Sequence, residues 1–148
     1  MIFSARNRKL TPAAFTAVWL ASLVSTVLLP LGVVFFLDVL VEVRGFQPGL
    51  GPYVFAVGGA LAIVSYVLAQ RFRAEYREQR GLPALDDEPA LRAYARKLFI
   101  GLGIAETPCY AAIFYYVLTR DVAWTLVLCA AAIVLVMLYK PAWPATRG

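Results

Sequence analysis

The chain contains no histidine. That removes the commonest general base and the commonest metal ligand together. Cysteine is nearly absent too. Cys109 and Cys129 both lie in apolar runs, match no metal or redox spacing, and read as small packing residues. Charge is scarce: 16% of the 148 residues are Asp, Glu, Lys or Arg, where a soluble domain carries about a quarter. The chain has no Gly-rich phosphate loop, and its few serines face no partner that could activate them. These absences argue against an enzyme and leave nothing to bind a cofactor or metal.

What is present is apolar. The hydrophobic fraction is 61% and the mean hydropathy +0.72. The excess is laid out in long runs, which predicts an all-α integral membrane protein. No separate soluble domain fits, since one needs at least roughly 50 residues. The net charge of +5 comes from basic residues beside the apolar runs rather than from a soluble patch. It therefore points to membrane topology and anionic lipid, not to nucleic acid.

Four spans are expected in a single transmembrane domain covering residues 1–148. The first follows Arg6, Arg8 and Lys9, as a signal peptide would. Its apolar run is far longer than the 7–15 residues of a cleaved segment, so it reads as a retained helix from about 12 to 42. Thr11 is its N-cap, Pro12 opens it and Pro30 bends it. Ala14, Ala21, Ser25 and Gly32 fall near one face and permit close approach of another helix. Asp38, Glu42 and Arg44 at its far end read as solvated charges. A Gly/Pro-rich turn leads to the second span, about 52–70, where Gly58, Gly59 and Ala62 offer a small packing surface. Arg71 and Glu75 are spaced to meet on one face as this helix runs on.

The connection 71–97 is the one long polar segment. Gly81 and Pro83 stop the helix that enters it, and Asp86, Asp87 and Glu88 before Pro89 start the next. Helices two and three are thus expected to extend beyond the bilayer as a helical hairpin whose Arg71, Arg73, Arg77 and Arg80 meet anionic lipid. The third span covers about 98–118. After the turn at Thr119–Asp121 the fourth runs over about 122–139, with Trp124 at one interface and Tyr139 and Trp143 at the other. The whole reads as a four-helix up-down bundle. Twelve of the 14 basic residues fall at the N-terminus, in the long connection and in the tail, leaving Arg44 and Arg120 opposite. The positive-inside rule then puts both termini and the connection in the cytoplasm, at a bacterial inner membrane.

The third span, LFIGLGIAETPCYAAIFYYVL, carries Glu106 about nine residues beyond Lys97, or roughly 13 Å along the axis. That is near the middle of a roughly 30 Å hydrocarbon core. A charge there costs at least about 2.5 kcal/mol, and glutamate is too short to snorkel out. Pro108 removes a helical donor two residues on. Tyr110, one turn beyond Glu106, is placed to hydrogen-bond it. Ser22, Ser25, Thr26 and Ser65 are partners within reach of other helices. Gly101, Ala105 and Cys109 make a neighbouring small stripe for helix packing.

The run GLGIAETPCYAAIFYYVL resembles the carboxylate-bearing helix of subunit c, the rotor-ring protein of rotary ATP synthases. In that family small residues precede an Ala-Glu pair and a tyrosine follows it. Over these roughly 20 residues the resemblance implies that Glu106 is an ion-binding carboxylate and that Ala105 and Tyr110 are its neighbours. The polar connection before Lys97 is longer than in subunit c, and the first hairpin has no equivalent acid. As a whole the chain resembles small four-span bacterial membrane proteins with an Ala-Glu-x-Pro segment, a likeness that implies no activity. Two functions are therefore expected. One is a structural or accessory role through helix packing, as a homo-oligomer or within a larger membrane complex. The other is proton or cation handling through Glu106 and Tyr110.

Overall fold

The computed structural model describes residues 11–41, 47–79, 83 and 87–141, without the side chains of 40, 41 and 77–79. Every regular element among them is helical. Helix α1 spans Pro12–Phe35 and runs on as a π-helical turn, Phe36–Val41. Helix α2, Gly51–Arg73, is entered through a 3-10 turn at Pro48–Leu50 and extended by a π-helical stretch, Ala74–Gln79. Helices α3, Glu88–Ala105, and α4, Thr107–Thr119, form one rod interrupted at Glu106. Helix α5 is Val122–Leu138. Three stretches, Pro12–Val39, Pro48–Tyr76 and Glu88–Thr119, are long and apolar enough to cross a membrane. At 17 residues α5 is shorter.

The helix starts follow from their caps. Thr11, Asp87 and Asp121 each accept a hydrogen bond from a backbone N–H of the first turn that no helical carbonyl can take. Arg120 closes α4 with a left-handed φ of 60°, a position more often held by glycine.

Packing is polarised. At one end Phe15, Phe72, Tyr76, Tyr94 and Tyr139 form a buried aromatic cluster, with ring centroids 5.0–5.7 Å apart across four helical segments. Tyr139 is 1% exposed. It belongs to this cluster and not to an interfacial belt, because its ring lies over Gly101, where a Cβ would collide with it. Trp19 Nε1 donates to the Val136 carbonyl at 3.0 Å, joining α1 to the last turn of α5. Glu75 receives Lys97 Nζ at 2.7 Å on both carboxylate oxygens, so α2 and α3 are tied across the connection. At the other end Ala112, Leu128 and Cys129 pack with Phe55 and Ala111. Phe55 stacks edge-on against Tyr115 and Trp124.

The small residues divide into two sets. Gly58 lies against Ala111 and Leu128, and a Cβ there would come within 2.9 Å of the alanine. Ala105 is fully buried, Ala62 packs against the larger hydrophobic core to which these aromatics belong, and Pro108 is buried. A Cβ at Gly59 would meet open space. Arg77 and Arg80 fall outside the residues whose side chains are described, as do Glu42, Arg44, Gly81, Asp86 and Trp143.

Candidate functional site

The interruption between α3 and α4 is set by sequence. Pro108 has no N–H, so the carbonyl four residues back, that of Ile104, loses its helical donor. Thr107 Oγ1 supplies a replacement, donating to the Ile104 carbonyl at 2.7 Å. The Glu106 carbonyl accepts the Cys109 N–H at 2.9 Å, a tight turn that restarts the helix as α4. Irregular backbone inside an apolar span survives only when its freed polar groups are answered in this way. Replacing Thr107 by valine keeps the shape and removes the donor. The expected loss is about 1 kcal/mol in detergent unfolding.

The break carries the acid to the boundary with α1. Ser22 Oγ donates to Glu106 Oε1, and Tyr110 OH approaches Oε2 at a longer 3.5 Å. Ser22 is buried, Glu106 half-buried and Tyr110 exposed along one edge. Among the described residues no basic side chain pairs with Glu106. The Ser22 carbonyl in turn accepts from Ser25 Oγ at 2.9 Å and Thr26 Oγ1 at 2.8 Å.

A second bond crosses the same boundary one turn along. Pro30 in α1 frees the carbonyl of Thr26, four residues before it. Cys109 Sγ donates to that carbonyl at 3.6 Å. A thiol is a weak donor, but in an apolar setting it answers a group that would otherwise be bare. The two prolines thus free two carbonyls, and a side chain from the region of Glu106 answers each one. Ser22, Thr26, Glu106, Thr107 and Cys109 form a polar seam between α1 and the α3–α4 junction. Ser65 lies outside it, fully buried, with no hydrogen-bond partner for its hydroxyl.

Helical spacing alone pairs Glu106 with Tyr110, and Ser22 is one of several hydroxyls on other helices expected within its reach. Cys109, expected only as a small packing residue, and Thr107 both act as donors to freed carbonyls. The signal for both was available: a proline inside a span marks the carbonyl four residues earlier as needing a donor. A further cluster was missed altogether. Asp38 accepts from Tyr116 OH and from Arg120 Nη1, the latter at 3.3 Å, while the Arg120 guanidinium lies 5.4 Å from the Tyr116 ring. This joins the end of α1 to the α4–α5 turn and gives Asp38 partners where solvation alone was expected. Tyr116 and Arg120 are one helical turn apart, but no spacing rule links either of them to residue 38.

The seam is chemically able to hold a carboxyl group in place, since a hydroxyl donor approaches each of its oxygens. Among the described residues no group of three or more acidic or cysteine side chains is arranged to hold a metal ion. The chain matches no protein-family model, no curated protein and no solved structure, so its function is argued from this geometry alone.

Proposed function

We propose that this is a four-span inner-membrane protein with a structural or accessory role, acting through helix packing and partner binding. The bundle runs up and down, both termini and the 71–97 connection lie in the cytoplasm, and Glu106 is a packing residue. One observation carries the reading: the carboxyl group is taken up by Ser22 and Tyr110 of its own chain. An acid that exchanged ions between copies would instead present its oxygens outward. The up-down arrangement is supported by Gly51 and Gly58 of α2 facing Thr119 and Ala111, in reverse order along α4. The orientation rests on the basic residues of the connection and termini.

Glutamine at 106 keeps a hydrogen-bonding carbonyl but cannot release a proton. Glu106→Gln is expected to assemble and unfold like the natural protein, within about 0.5 kcal/mol. Ser22→Ala is expected to lose about 0.6–1.7 kcal/mol, the range for a hydrogen bond between membrane helices. Unfolding in detergent measures both. Proton and sodium flux into reconstituted vesicles supplies the other readout. A flux carried by the natural protein and abolished in a well-folded Glu106→Gln variant would replace the packing role with ion handling.

A further inference from the structure

The aromatic end of the molecule is also its basic end, and Arg92, Lys97 and Lys140 there have protein partners. Arg92 pairs with Glu88 and Lys97 with Glu75, and Lys140 Nζ sits 5.8 Å from the Trp19 ring. Arg73 is different. It is the last residue of α2, half-buried, and its Nε is enclosed without any acceptor. It forms no ion pair among the described residues. A guanidinium N–H shut away from water without an acceptor is costly, so the side chain gains by turning outward to an acceptor that the described residues do not provide.

Three features define that group. It is anionic, because arginine donates at five positions and accepts at none. It is planar or tetrahedral with paired oxygens, the geometry that the guanidinium fork meets with two parallel bonds. And it lies at the polar margin of a bilayer, because Arg73 comes about one helical turn after the apolar run that ends at Ala69. Phospholipid phosphates occupy that level. The mount is also rigid: the adjacent Phe72 is packed on Tyr76, Tyr94 and Tyr139.

We propose that Arg73 holds the phosphate of an anionic phospholipid in the leaflet at this end of the bundle. A turn about the outer side-chain torsions presents Nε–H and an Nη–H to two phosphate oxygens. Arg71, exposed two residues earlier, points from another face of the helix and contributes charge without the fork. The proposal needs the chain to lie in a membrane but not the packing role of Glu106.

The test is native mass spectrometry on the full-length, delipidated protein, titrated with phosphatidylglycerol and with phosphatidylcholine. The natural protein is expected to prefer phosphatidylglycerol. Arg73→Gln should lower that preference about tenfold, the effect of losing one charge-assisted pair. Arg73→Lys should fall between the two, because it keeps the charge and loses the fork, and it decides the question if the glutamine variant fails to fold. Arg71→Gln should retain the preference. Equal losses at 71 and 73, or no preference in the natural protein, would overturn the site in favour of diffuse attraction. Displacement of the lipid by millimolar inorganic phosphate would overturn the lipid as its ligand.

Discussion

Replacing Gly101 by alanine is expected to destabilise the protein by about 1–3 kcal/mol, the usual cost of forcing a methyl group into a packed site. Two effects compete. Alanine in a helix interior is worth about 0.5–1 kcal/mol over glycine, because the unfolded glycine backbone has more freedom to lose. Against this, the new Cβ would lie within the edge of the Tyr139 ring, its three nearest neighbours all being ring carbons. That ring is 1% exposed and backed by Phe72 at 5.1 Å between centroids, so it has nowhere to retreat. Overpacking wins. Gly59→Ala and Gly103→Ala supply the contrast, since nothing lies within 4 Å of either added methyl group. Both should gain part of the helix-propensity term. Equilibrium unfolding in detergent measures all three. If Gly101→Ala matches Gly103→Ala, the close approach of α3 to Tyr139 is wrong.

Phe72→Ala is expected to cost about 3–5 kcal/mol, the range for removing a buried phenyl ring. Phe72 touches Tyr76, Tyr94 and Tyr139 at once, so its loss opens a cavity shared by α2, α3 and the end of α5. The large value follows from where the cluster sits. Between helices in lipid there is little hydrophobic drive, because lipid tails are as apolar as the side chains. Where the helices leave the apolar stretches, water returns and burying aromatic area becomes favourable. Phe114→Ala provides the comparison, because that ring is 67% exposed along the apolar stretch. It should change stability by under about 0.5 kcal/mol. Equal effects at 72 and 114 would remove the aromatic cluster as the main clasp of this end.

Much of the chain was legible from local rules. Thr11 and the acids before Pro89 announced two helix starts, the turn at Thr119–Asp121 a third, and Thr11, Asp87 and Asp121 supply the caps. The apolar runs gave the all-helical class, because an unpaired backbone cannot cross hydrocarbon. Glu106 stood out by cost alone, and its pairing with Tyr110 followed from helical spacing. Other pairings could not be read in that way. Glu75 was spaced to meet Arg71 on its own helix, yet Lys97 of α3 reaches both its oxygens. Tyr139 looked interfacial because it ends an apolar run. The small Gly101 opposite it made room for the ring inside.

The sequence by itself determined that the chain is helical and apolar enough to span a membrane, where most helices begin, and that one acid is out of place. Those properties depend on residues within a turn or a span of one another. Tertiary structure alone decided which groups answer that acid and the carbonyls freed by Pro30 and Pro108. Ser22 meets Glu106, and Cys109 meets Thr26, across more than 80 positions of chain. Proline fixes where a donor will be needed, but which side chain supplies it depends on how α1 lies against the α3–α4 junction. That placement is a property of the packed helices and leaves no periodic mark in the sequence.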